Sequence, residues 1–156
     1  MNDVIRGKPR DRRGIALGLI RIFIGIWFLW SGIPKLNSAY FNEQMGMMLQ
    51  YFADQGSVGF YQEFLRWAAE HAKVFAYLTA IGEVAVGVLL ILGFLTPLAL
   101  GSMMFLCFNY LLATKNLGPA PIGINFLCLT IGVALFFGKA GKSLGLDGLL
   151  FKERDL

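Results

Sequence analysis

Arg21 and Glu83 are ionisable side chains set inside long apolar runs, Arg21 within 14–36 and Glu83 within 73–92. An Arg or Asp at the centre of a membrane-spanning helix costs roughly 2.5 to 3.5 kcal/mol on insertion scales, so each such residue needs a partner and marks a functional site. Each can serve as the other's partner in a buried ion pair. Counted from the same side of the membrane, Arg21 lies about 10 Å deep and Glu83 about 14 Å deep, a mismatch that a long Arg side chain can bridge. Such a pair either fixes helix register or holds charge for chemistry, and breaking it on one side is costly in both cases.

A second polar group falls in the later apolar runs. Asn109 and Asn125 lie at matching depth, and so do Cys107 and Cys128. Both pairs cannot face each other, because Cys107 and Asn109 are about 200° apart on a helix whereas Asn125 and Cys128 are about 60° apart. The two amides are expected to point inward, since an unpaired amide in lipid is costly and a thiol behaves as a small hydrophobe. They then either tie helices together or join Lys35 in lining a polar pocket open to the outer leaflet. No residue can be assigned a catalytic role. With one histidine, His71, and two cysteines inside apolar runs, a bis-His haem, a Cys-rich metal site and a CxxC redox motif are excluded by count and spacing.

The elements that must position these groups are legible in the composition. Of 156 residues, 56% are hydrophobic and 15% charged, with mean hydropathy +0.61, far from the balance of a water-soluble domain. Four runs, 14–36, 73–92, 97–114 and 121–137, are long enough or nearly so to cross a hydrocarbon core of about 30 Å. The expected fold is an all-α membrane protein, a four-helix transmembrane bundle with an extracytoplasmic amphipathic loop between the first two helices. Its parts are a basic N-terminus at 1–13, a four-span domain at 14–137 with the outer loop at 37–72, and a tail at 138–156. The first apolar run is too long for a cleaved signal peptide and holds Arg21, so it is expected to be retained.

Arg6, Lys8, Arg10, Arg12 and Arg13 precede the first span, and Lys139, Lys142, Lys152 and Arg154 follow the last. The positive-inside rule places both termini in the cytoplasm. The net charge of +4 is therefore topogenic, and no nucleic-acid partner is expected.

Periodicity then orients the spans. Gly14, Gly18, Arg21, Gly25, Phe28, Gly32 and Lys35 share one face of the first, and Ala76, Ala80, Glu83 and Gly87 share one face of the second. Small residues allow transmembrane backbones to approach, so these faces point into the bundle. Gly93 reads as a helix stop, with Thr96 as N-cap and Pro97 as first helical residue of the third span. In the outer loop, Phe60, Phe64, Trp67 and Ala68 form one face of an amphipathic helix, and 40–52, with three methionines, suggests a second. This loop either caps the bundle or presents an adaptable surface to a lipophilic ligand.

These residues carry a family resemblance. The first span, from Arg21-Ile-Phe-Ile-Gly25 to Ser31-Gly32-Ile-Pro-Lys35, resembles the opening of the DoxX family of small four-helix membrane proteins. Gly82-Glu83, Gly87 and the stretch LLILGFLTP at 89–97 resemble its second signature. Asn125 and the stretch GKSLGLD at 141–147 resemble its ending. The outer loop is longer than in short members. The resemblance implies an integral protein of a bacterial or archaeal cytoplasmic membrane, linked to thiosulfate:quinone oxidoreductase subunits and to membrane partners of redox enzymes. It implies a quinone-interacting or membrane-anchoring subunit, with no intrinsic cofactor, quinone as candidate ligand and a soluble or membrane redox protein as candidate partner. A non-catalytic scaffold is the alternative. A small transporter is disfavoured, because no inverted repeat with interrupted helices is visible.

Overall fold

The computed structural model describes residues 12–150, which contain no strand. The basic residues Arg6, Lys8, Arg10, Lys152 and Arg154 lie outside them. The first span is α1, Arg12–Leu36. After a short turn come α2, Ala39–Tyr51, and, beyond a wide helical turn at Phe52–Gly56 and a tight one at Gly59–Tyr61, α3, Gln62–Glu70. The other spans are α4, Ala72–Leu92, α5, Thr96–Thr114, and α6, Pro119–Phe137, and a short α7, Leu146–Leu150, closes the described chain. Four helices are thus long and apolar enough to cross a membrane, as the four runs require.

The antiparallel pair α1 and α4 is built on glycine. A Cβ at Gly87 would sit 2.8 Å from the Gly25 carbonyl oxygen, and a Cβ at Gly25 would sit 2.9 Å from that of Gly87. One contact further along, a Cβ at Gly32 would sit 2.9 to 3.0 Å from Val84 and Glu83. This reciprocal crossing sets the register between the two helices. Gly87→Ala should therefore cost about 1 to 3 kcal/mol through overpacking. Gly101→Ala, where an added Cβ meets nothing within 4 Å, should be neutral or slightly stabilising. Thermal melting of the detergent-solubilised variants checks this, and equal effects would rule out a backbone-limited crossing.

The bundle core gathers Ile24 and Phe28 of α1, Val86 and Leu90 of α4, Leu100, Met103 and Cys107 of α5, and Cys128 and Leu135 of α6. A second core lies at one end, where Met45, Leu49, Ala53, Leu65 and Ala68 of the 37–72 segment pack on Ala76 of α4 and Ala113 of α5. The 37–72 segment is a folded helical lid. Its α2 starts at Ser38, whose Oγ accepts the Phe41 N–H at 3.1 Å, a regular N-cap. The apolar face of α3 is divided. Leu65 and Ala68 are buried against the bundle, whereas Phe64 and Trp67 stay half exposed at the rim, each meeting Phe75 edge to face.

At the opposite end, Gly93 ends α4 in the left-handed region at φ 62°, as its position predicts. The start of α5 differs from expectation. Thr96 does not cap it. The Leu95 and Thr96 N–H groups donate instead to the Asp147 carboxylate, at 2.9 and 2.8 Å, so a residue some fifty positions downstream caps this helix.

Candidate functional site

Two polar clusters occupy opposite ends of the bundle. At the lid end, Glu83 is 2% exposed, and its two carboxylate oxygens each accept from Lys35 Nζ at 2.6 Å. Lys35 also donates to Ser31 Oγ, one helical turn back, at 3.1 Å, and its ammonium lies 5.8 Å from the Phe41 ring centroid. The Tyr110 hydroxyl donates to Glu83 Oε1 at 2.7 Å. The carboxylate is thus buried, neutralised by an ammonium and hydrogen-bonded by a phenol. The ammonium, with 26% of its side chain exposed, connects it to the rim.

The ion pair expected between Arg21 and Glu83 is not the one formed. The glycine crossing places Gly32, not Arg21, beside Glu83. Arg21 lies about three helical turns, roughly 16 Å, back along α1, whereas Lys35 lies one turn beyond Gly32 and folds onto the carboxylate. Depth counted from the ends of the apolar runs misleads here because α1 extends past the end of α4.

Arg21 serves the other cluster. It is fully buried, donating from Nη1 to the Ala140 carbonyl at 3.2 Å and from Nη2 to the Leu144 carbonyl at 2.6 Å. Asp147 supplies its counter-charge. The Asp147 N–H in turn donates to Gly93 O at 2.8 Å, so the segment after α6 folds back and docks on the α4–α5 turn. Glycine is required there. A Cβ at Gly93 or Gly145 would overlap Arg21 Nη1. The guanidinium is a lock for the returning segment, holding two carbonyls that no helix satisfies.

The candidate pocket of Lys35, Asn109 and Asn125 is not brought together. Lys35 closes on Glu83. Asn109 Nδ2 donates to Phe105 O at 2.7 Å, and its Oδ1 accepts from the lid phenol of Tyr61 at 2.5 Å, so it fastens the lid rather than facing Asn125. Burial pushes the Tyr61 phenol up to about 12. Asn125 is buried but donates to Pro121 O of its own helix at 2.9 Å. The rotation of α5 is opposite to the one expected. Met103 and Met104 pack on Gly132, and the same antiparallel register sets Cys107 against Cys128, with the two thiols free and buried.

Tyr110 and Asp147 belong to these two clusters, and sequence reasoning missed both. Tyr110 could have been found from its position one turn beyond Cys107, on the same face of α5. Asp147 carried no local signal beyond its place in the GKSLGLD stretch.

What the lid-end arrangement can do is hold and exchange a proton. A carboxylate that accepts from both a phenol and an ammonium, inside a helix bundle, provides a proton acceptor beside two donors for an oxygen-bearing guest. Among the described residues, no group of three His, Cys, Asp or Glu could hold a metal ion.

Comparison with known proteins agrees with this architecture. The family model DoxX matches residues 16–115, a segment holding Arg21, Lys35, Glu83 and Tyr110 but ending before Asn125 and the 141–147 stretch. The curated proteins gave no match, and neither did the solved structures. With well over half of its length matched, the chain belongs to the DoxX family.

Proposed function

We propose that this protein is the membrane subunit of a quinone-linked redox system, with the Lys35–Glu83–Tyr110 network as its working site. The observation that carries the reading is this buried network at the lid end of four membrane-spanning helices. A quinone supplies two-electron, two-proton chemistry in the bilayer, and a partner redox protein supplies the electrons. This chain's residues fit the proton side of that exchange. Tyr110 and Lys35 are donors suited to a carbonyl oxygen, and the buried Glu83 carboxylate accepts from both and holds them in place. The partly exposed Lys35 links the network to the lid rim.

The proposal includes an orientation with both termini in the cytoplasm and the lid outside. Arg12, Arg13, Lys139 and Lys142 gather at the end opposite the lid, while the 37–72 segment carries one such residue, Arg66.

Titrating the purified protein with a short-chain quinone analogue should raise its melting temperature by mass action, equivalent to about 2.7 kcal/mol at a hundredfold excess over Kd. Tyr110→Phe and Glu83→Gln should weaken that shift, and Leu19→Ala, on the exposed face of α1, should not. No shift with any quinone, together with stabilisation by a soluble redox partner, would replace this reading with that of a scaffold. The exposed Met47, Tyr51 and Phe60 on the lid favour that second reading.

A further inference from the structure

The two cysteines of the chain meet inside the bundle, in a place the proposed working site does not use. Cys107 of α5 and Cys128 of α6 are both buried in one apolar core, and their free thiols are in hydrogen-bonding contact with each other. Gly132 sets them there. Met103 and Met104 of α5 pack on its bare backbone, and in an antiparallel pair that register brings Cys128 against Cys107 one turn further on. Two thiols already in contact can close to a disulfide by side-chain rotation, which cysteines on averted faces cannot do. A proton acceptor stands beside them. Tyr110 follows Cys107 by one turn on the same face of α5, its hydroxyl donates to Glu83, and the Glu83 carboxylate is near enough to act electrostatically on the Cys107 thiol. The thiolate is the reactive form of cysteine, so a buried pair beside a carboxylate that can take its proton differs from an inert pair in an apolar core. Among the described residues the sulfurs have no third ligand with which to hold a metal.

We propose that Cys107 and Cys128 are a redox-active dithiol that a quinone oxidises to an intramembrane disulfide. The step balances within the bilayer. Two S–H bonds break and one S–S bond forms, and the two electrons and two protons released reduce one quinone to its hydroquinone. The first proton leaves through Tyr110, whose hydroxyl passes its own proton to Glu83 as it accepts that of Cys107. A quinone held by Tyr110 and Lys35 has the Cys107 thiol only about 4.5 Å away along the helix axis, a rise of three residues. The disulfide then ties α5 to α6 one turn from the residue that donates to Glu83. The choice of oxidant rests on the quinone reading, whereas the meeting of the two thiols does not.

The test treats the reduced full-length protein in mild detergent with duroquinone, whose filled ring positions leave no carbon for a lasting thioether, and separately with diamide, a thiol oxidant that needs no quinone site. Remaining thiols are counted with a maleimide after denaturation. The reduced protein should take up two maleimides and the oxidised protein none, since the chain has two cysteines. One hydroquinone should form per disulfide, and a reductant should restore both thiols. Cys107→Ala and Cys128→Ala should each keep their remaining thiol and form no hydroquinone. Tyr110→Phe should slow closure by diamide about tenfold. Closure with diamide but not with duroquinone would overturn the proposal and leave the quinone reading to stand on its melting shift. Closure with duroquinone in a protein whose melting temperature no quinone raises would support the dithiol and overturn that reading instead. No closure with either reagent, hydroquinone formed by the single-cysteine variants, or an unchanged rate in Tyr110→Phe would each overturn the proposal.

Discussion

Lys35→Met is expected to destabilise the protein by about 3 to 5 kcal/mol, the cost of leaving one member of a buried pair without its counter-charge. Glu83 is 2% exposed and cannot reach water, so its charge must be lost by taking up a proton or borne by the Tyr110 hydroxyl alone. The reverse change is milder. In Glu83→Gln the Lys35 ammonium, already a quarter exposed, can turn toward water at the lid rim while its stem stays packed. The double variant Lys35→Met/Glu83→Gln should recover much of the single Lys35→Met loss. Reversible unfolding in mixed micelles measures all three. Pairing Arg21→Gln with Glu83→Gln should instead give additive losses within about 0.5 kcal/mol, because the two residues belong to separate clusters. Strong coupling in that cycle would show that Arg21 and Glu83 interact after all, and a Lys35→Met cost near zero would show that the Lys35–Glu83 pair does not stabilise the bundle.

Arg21→Leu is the second large effect, expected at about 3 to 5 kcal/mol with a local signature. Two charge-assisted hydrogen bonds are lost at once, and hydrogen bonds to charged groups contribute about 1.5 to 3 kcal/mol each. The buried Ala140 carbonyl loses its donor, and Asp147 loses its counter-charge. The returning segment should then lift from the α4–α5 turn, exposing the bond after Lys142 to trypsin. Arg21→Lys should not restore protection, because a point charge lacks the fork that reaches both carbonyls. Gly145→Val should mimic the loss, since its side chain would displace the guanidinium. Unchanged cleavage in Arg21→Leu would mean that the segment is held by other contacts.

These two experiments separate roles that one apolar sequence leaves merged. Both charges were legible as buried, because an ionisable residue inside a run of that length has nowhere else to go. The glycine face of α1 was legible too, and it is the face the structure buries. The lid was visible as two amphipathic stretches, although the division of α3 into a buried Leu65–Ala68 edge and an exposed aromatic edge was not.

Span number, helical class, the inward turn of Arg21 and Glu83 and the stop at Gly93 were determined by the sequence alone, because hydrophobic length, small-residue spacing and turn chemistry act within a few residues. Partner choice was decided only by the tertiary structure. Whether Glu83 meets Arg21 or Lys35 depends on the axial offset of α1 against α4, which the Gly25–Gly87 contact sets. Whether Cys107 or Asn109 faces the bundle interior depends on the rotation of α5. That Asp147 caps α5 depends on a chain return that no local pattern encodes. Offset, rotation and return are relations between elements, and they are set where backbones touch and side chains exclude one another.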